Sequence, residues 1–199
     1  MRVLELFAGN GDITKYLQSK GIEAVSLDYD EKKNPMICHD AYSLSDEFLK
    51  SFDFIWLSPD CTTYSLASHG KHRLKGGVPV SDYAKECDEK NTKLFQQLQR
   101  IDVPFICENP RGHFRNMPFV SHLARITIYY STYGTEYTKP TDLFTNCASL
   151  LLFFNQTITN GTKHLDYCVG YGDFLGRCKM PTKLIEDIHN AISYLEDIK

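Results

Sequence analysis

The chain has 199 residues, 42% hydrophobic and 24% charged, which is the make-up of a soluble globular protein of ordinary domain size. A formal net charge of -3 excludes polyanion binding through overall charge, so any nucleic-acid contact has to come from a local basic patch. The 7 cysteines are irregularly spaced with no CxxC pair, which argues against a disulfide framework, and no apolar run reaches the length of a membrane span. No secretory segment precedes Arg2-Val3-Leu4, so the expected setting is the reduced cytoplasm. Asn155-Gln156-Thr157 and Asn160-Gly161-Thr162 then read as chance glycosylation patterns.

Val3 to Phe7 is predicted as a strand that runs into Ala8-Gly9-Asn10-Gly11-Asp12 and a helix from Ile13 to Lys20, stopped by Gly21. Strand, glycine turn and helix form the opening of a nucleotide-binding βαβ unit, although a tight turn without a ligand has the same pattern. The next strand, Ala24 to Leu27, ends in Asp28-Tyr29-Asp30. An acid there, roughly 20 residues after the glycines, is placed for ribose hydroxyls; its plain alternative is a solvated loop acid. A short strand from Met36 to Cys38 ends near Asp40. Phe54-Ile55-Trp56-Leu57 reads as a buried strand broken at Ser58-Pro59, with Trp56 in the core. Cys61 follows it, where open α/β sheets hold their chemistry; an inert packed thiol is the alternative.

The run from 66 to 80, LASHGKHRLKGGVPV, is the most basic in the chain, with Lys71, Arg73, Lys75, His69 and His72. It reads either as a mobile lid gripping a phosphate backbone or as a solvated loop. Asp82 to Arg100 has Tyr83, Cys87, Leu94 and Leu98 at helical spacing, predicting a helix with that face on the sheet. Pro104 to Cys107 is the fifth strand and ends in Glu108-Asn109-Pro110-Arg111-Gly112. Beside the Cys61 strand, Glu108 is an acid/base partner for a thiol; otherwise it is a turn acid, and Arg111 and Arg115 are surface charge. Ile126 to Tyr133 is a further strand, Thr135 to Tyr171 the least regular stretch, and Pro181 starts a final helix with Leu184, Ile188, Ile192 and Leu195 inside. This alternation predicts a doubly wound, mostly parallel Rossmann-like α/β sheet in one domain, residues 1–199, with the short irregular insert at about 135–171.

In this order the residues resemble the DNA cytosine C5-methyltransferases, in a small form like those of phages. Leu6-Phe7-Ala8-Gly9-Asn10-Gly11 is similar to the family's first motif, Pro59-Asp60-Cys61-Thr62-Thr63-Tyr64-Ser65 to its catalytic Pro-Cys motif, and Glu108-Asn109-Pro110 to its Glu-Asn-Val motif. Asn91-Thr92-Lys93-Leu94-Phe95 resembles the helix motif between them, and Gly176 to Ile192, with Met180-Pro181, the last motif. The resemblance implies the class I methyltransferase fold and S-adenosylmethionine held by Phe7, Ala8, Gly9, Asn10, Gly11, Asp28, Tyr29, Asp40, Ala41 and Ser58. It implies catalysis by Cys61 and Glu108, and substrate contacts by Pro59, Ser65, Asn109, Arg111 and Lys139. Ser65 and Asn109 are expected to hold loops, the other six cysteines to serve packing, and no metal is implied. The resemblance implies DNA as the partner and no membrane, and a phage origin would make the location the host cytoplasm.

Three features depart from that pattern. Asp60 stands where the family has a second proline. The expected Gln-x-Arg-x-Arg motif is replaced by Glu136, Tyr137, Lys139 and Thr141, so that Lys139 is a point charge without the bidentate fork. Only Asp142 to Tyr171 separate that region from the last motif, too few for a target-recognition domain, so specificity is short and relaxed or comes from a separate partner or an oligomer. Open alternatives are the same chemistry on RNA or a free nucleotide, a donor other than S-adenosylmethionine itself, and a catalytically silent nucleic-acid-binding relative.

Overall fold

The computed structural model describes residues 1–158 and 179–198. Seven strands form one sheet: β1 (Arg2–Leu6), β2 (Glu23–Asp28), β3 (Ile37–Cys38), β4 (Phe54–Leu57), β5 (Phe105–Pro110), β6 (Ala124–Tyr129) and β7 (Pro140–Thr145). The order across it is β3-β2-β1-β4-β5-β7-β6. The first five strands run parallel, and β7 lies antiparallel to both β5 and β6.

Buried on both faces, the parallel strands read as continuous apolar runs, and alternate residues feed two cores. Ile55 and Leu57 join Leu94, Phe95 and Leu98 of helix α3 (Asp82–Ile101) on one face, with Leu49 of the short helix α2 (Asp46–Lys50). Phe54 and Trp56 join Ile13 and Leu17 of helix α1 (Asp12–Ser19) on the other, with Leu184, Ile188 and Ile192 of helix α4 (Thr182–Asp197). Each such fully buried side chain contributes about 1.5–3 kcal/mol by leaving water. Ser81 caps α3 by accepting the Ala84 N–H, and Asp102, in the left-handed region at φ 57°, ends it.

Several expected boundaries move, for identifiable reasons. β5 continues through Glu108, Asn109 and Pro110 because β7 keeps pairing with it there, Asn109 opposite Asp142. The strand expected to reach Tyr133 ends at Tyr129 and tightens into a 3-10 turn, Tyr130–Tyr133, closed by Gly134 at φ 90°. β7 itself lies inside the stretch read as irregular, and Ala148–Phe153 in that stretch is a 3-10 helix. Tyr83, assigned to the inner face of α3, is 45% exposed and turns toward the sheet's carboxyl edge. Of the cysteines assigned to packing, Cys87 and Cys107 are buried but Cys38 is exposed. The rest of the predicted insert, the Asn160 pattern, Cys168, Cys178 and the first part of the last motif from Gly176 lie outside the described residues.

One charge is built into the second core. Glu5 on β1 is buried, and its Oε2 accepts the Thr14 N–H at 2.8 Å and the Thr14 hydroxyl at 2.6 Å, fastening α1 to the sheet. Burial pushes its pKa up to about 7 against these two donors. Because the folded value is raised, the folded state holds the proton better than the unfolded chain. That contribution is complete below the ordinary carboxylate value and disappears as pH rises through about 7. Glu5→Gln is therefore expected to flatten the fall in melting temperature between about pH 5 and pH 8, which thermal unfolding across that window measures. An unchanged slope would show that another group carries it.

Candidate functional site

Parallel register brings the predicted residues to one edge. Leu6 pairs with Leu27 and with Leu57, and Leu57 with Cys107. One residue further along each strand come Phe7, Asp28, Ser58 and Glu108, in a row at the carboxyl ends. Phe7 takes the left-handed conformation at φ 56° to turn the chain, and Gly9 (φ 51°) and Gly11 (φ 66°) continue that turn into α1. The Asp28 carboxylate accepts the Gly9 N–H at 2.8 Å and the Asp30 N–H at 2.9 Å, so it ties the glycine turn to the end of β2.

Above Phe7, Asp28 and Ser58 opens a cavity of about 740 Å³, the size of a small-molecule site. Of the ten expected cofactor residues, Phe7, Asp28, Tyr29, Asp40, Ala41 and Ser58 line it. Gly9, Asn10 and Gly11 instead border a separate crevice of about 110 Å³ with Thr14, Lys15 and Met36, and the Ala8 N–H is bonded to the Leu27 carbonyl. The sequence reading missed Tyr42, Asp60, Tyr83, Glu86, Cys87 and Lys90 in the cavity wall. A signal was available for four of them: Tyr83, Glu86, Cys87 and Lys90 are three and four apart, one stripe of α3. Tyr42 packs its ring on Phe7 at 5.2 Å and donates to Asn91 Oδ1 at 3.1 Å. The residues fit an adenosine-like cationic group: aromatic faces, oriented carboxylates, and five acids against two lysines, Lys33 and Lys90. A second crevice, of about 330 Å³, sits at the opposite edge around Asp102, His122 and Asn146.

Cys61 sits beside this cavity in a turn whose carbonyl accepts the Tyr64 and Ser65 N–H groups at 3.0 and 2.9 Å. The turn is gripped from two sides. The Tyr64 carbonyl accepts the His113 N–H at 2.7 Å, and a Cβ on Gly112 would come within 2.3 Å of that oxygen, so only glycine allows the approach. On the other side lies Arg73. The expectation of a phosphate-gripping arginine fails here: Arg73 is fully buried, and it is Lys71 and Lys75 that remain exposed. Its guanidinium donates to the Thr63 carbonyl (2.8 Å), the Gly77 carbonyl (2.9 Å) and both oxygens of Asp88 (2.9 and 2.6 Å), and lies 4.2 Å from the Tyr64 ring centroid. This folds the basic run back onto α3 and the Cys61 turn. Arg73→Met is expected to cost about 3 kcal/mol of unfolding free energy, because Asp88 loses its only ion-pair partner among the described residues. Denaturant unfolding measures it, and a loss under about 1 kcal/mol would reduce the pair to a surface-like contact.

Burial is the main reason the Cys61 thiol is pushed up to about 11; the Glu108 and Asp60 charges add to it, and Lys139 opposes them. Glu108 is buried, which raises its pKa, against Lys139 and hydrogen bonding from Tyr130 and Ser58. Tyr130 Oη stands 3.5 Å from Glu108 Oε1, and the Lys139 ammonium 4.1 Å from the Tyr130 ring centroid. Cys61, Glu108, Ser58 and Lys139 thus form one electrostatic unit at the ends of β4 and β5. Asn109 donates from Nδ2 to the Pro59 carbonyl at 3.1 Å, while its buried Oδ1 has no partner among the described residues. Ser65 Oγ accepts the Ala67 N–H at 3.2 Å, within its own loop. Arg111 is exposed, with its N–H on the Pro140 carbonyl at 2.9 Å. Arg115, read as surface charge, is a structural ion: it forks onto the buried Asp142 at 2.8 and 2.5 Å and donates to Thr127 at 2.9 Å.

No protein-family model matches the chain, and no curated protein matches it in sequence. Solved structures match its fold. The Dnmt2 methyltransferase of S. pombe is 13% identical over 90% of this chain and 58% of its own, with a TM-score of 0.50. An E. coli prophage protein assigned as a DNA modification methyltransferase is 16% identical over 87% and 56%, at 0.52. The Entamoeba histolytica methyltransferase EhMeth is 17% identical over 73% and 52%, at 0.50. The chain therefore shares the Rossmann-like fold of these structures, and it spans a little over half their length.

Proposed function

We propose that the chain is a DNA cytosine C5-methyltransferase that uses S-adenosylmethionine and a covalent Cys61 adduct. The observation that carries this reading is the pairing of β4 with β5, which ends with Leu57 opposite Cys107 and so sets Glu108 beside the chain leading to Cys61, next to an acidic, aromatic-lined cavity bordered by Ser58, Asp60 and Thr62. Phe7, Asp28, Tyr29, Asp40, Ala41 and Ser58 would hold the cofactor, which supplies an electrophilic methyl group. C5 of cytosine is a poor nucleophile, so the chain's own residues have to activate it. Cys61 adds as thiolate to C6, and the ring electrons move toward C5 and N3. Glu108, whose hold on its proton burial strengthens, donates that proton to N3 and takes up the charge. Lys139 favours the thiolate and steadies the Glu108 carboxylate when its proton has gone. After methylation Glu108 recovers the N3 proton, water accepts the C5 proton, and the C6–S bond breaks with its electron pair returning to Cys61, which restores the ring. In a duplex the base has to leave the stack first, and Lys71 and Lys75, exposed on the anchored loop after the Cys61 turn, would meet the phosphate backbone.

Neighbouring structures include a prophage protein assigned to DNA modification, which supports DNA over a free nucleotide. The test is methyl transfer from labelled S-adenosylmethionine to duplex DNA, RNA and cytidine nucleotides in parallel. The expected product is 5-methylcytosine in DNA with the wild type and none with Cys61→Ala. Label confined to RNA or nucleotide would overturn the substrate, and label retained by Cys61→Ala would overturn the mechanism.

A further inference from the structure

Asp60, the residue that departs from the Pro-Pro-Cys pattern, is both the neighbour of Cys61 and part of the cavity wall. Its orientation is fixed from three directions. Oδ1 accepts the Thr62 N–H at 3.0 Å and the Thr62 hydroxyl at 2.6 Å, and Oδ2 accepts the Tyr83 hydroxyl at 2.5 Å. All three donors are neutral, so they hold the carboxylate still without cancelling its charge, and no ion pair forms to it among the described residues. Of the other four acids of the cavity, Glu86 is ion-paired with Lys90 at 2.7 Å, while Asp28, Asp30 and Asp40 accept backbone N–H groups in the turns after β2 and β3.

We infer that Asp60 makes the cavity select the cationic sulfonium donor over its neutral thioether product. The inference rests on the cofactor reading of the cavity given above. Methyl transfer leaves the C–S bonding pair on sulfur, so the donor's positive sulfur becomes neutral while the rest of the molecule is unchanged. A fixed negative charge facing that sulfur tells the two apart. The methyl has to reach C5 of a base bonded through C6 to Cys61, which places the sulfur at the Cys61 end of the cavity. Asp60 is the carboxylate at that end; Asp28 and Asp40 belong to the ends of β2 and β3. A pre-oriented charge acts without reorganising when the ligand arrives. Because Asp60 is exposed to solvent on one side, screening holds the effect to about tenfold in affinity. The consequence is a site that sheds its product instead of being inhibited by it.

Equilibrium binding of S-adenosylmethionine and S-adenosylhomocysteine, by calorimetry on the full chain, tests this without turnover. The wild type should prefer the sulfonium; Asp60→Asn should lose about tenfold for it and leave the thioether unchanged, and Asp60→Glu should restore the preference. Unchanged thioether binding also reports that the variant is folded. Equal weakening of both ligands would make Asp60 a structural residue and overturn the inference, as would no change in either. A wild type that binds neither ligand would instead sink the cofactor reading, and this proposal with it.

Discussion

Cys61→Ser is expected to lower methyl transfer by at least about a thousandfold and to abolish covalent capture of a 5-fluorocytosine duplex. The second readout separates chemistry from folding. Fluorine at C5 cannot depart as a proton, so a wild-type adduct, once methylated, stays bonded to the protein and shifts its mobility in a denaturing gel. The hydroxyl of serine is a far weaker nucleophile than a thiolate, and no adduct should form. The fold should survive, because the contacts that shape the turn use the Cys61 carbonyl, which accepts from Tyr64 and Ser65, and not its side chain. Arg73 and Gly112 hold the same turn from either side. A Cys61→Ser protein with unchanged melting temperature that still forms an adduct would assign the nucleophile to another thiol. Exposed Cys38, near the Tyr29 carbonyl at 3.5 Å, is the first to examine.

The parallel half of the sheet was legible because its strands are short apolar runs, and the residues at their carboxyl ends, Phe7, Asp28, Ser58 and Glu108, break each run. Burial on both faces writes that pattern into sequence. β7 was not legible because Pro140-Thr141-Asp142 opens it with a proline and a charge, and the charge is tolerated only through Arg115 and Thr127, both distant in sequence. Arg73 was misread for the same kind of reason. A basic residue in a glycine-rich run gives no sign that Asp88 and two carbonyls will bury it. Tyr83 matched the helical stripe by spacing, yet its hydroxyl reaches Asp60 across the cavity. Local pattern reports which face a residue shares with its neighbours; it does not report which polar partner a distant segment brings.

Glu108→Gln should separate two effects that run in opposite directions. Methyl transfer should fall by about 10²–10⁴, since an amide hydrogen-bonds N3 but does not deliver a proton to it. At the same time Cys61 should become more reactive toward iodoacetamide. With its pKa pushed up to about 11, the free thiol is ionised at pH 7 in roughly one molecule in ten thousand. After burial, the Glu108 carboxylate is the largest contributor to that suppression. Removing it should speed alkylation of Cys61, followed by peptide mass mapping, by about tenfold at pH 8. Lys139→Met should do the reverse, because the ammonium is what favours the thiolate. The sign of the pH dependence follows. Glu108 is shifted upward, so its neutral form persists to higher pH than in a free carboxylate, and the difference between wild type and Glu108→Gln should open only as pH rises through the Glu108 titration. If alkylation were unaffected by Glu108→Gln at every pH, the two residues would not share a site, and the acid/base pair at the centre of the proposed mechanism would have to be abandoned. If alkylation rises while transfer is lost, the apo enzyme keeps its nucleophile silent until a bound base satisfies Glu108. Such a thiol is protected from adventitious alkylation and oxidation, and it is released for chemistry only by the correct substrate.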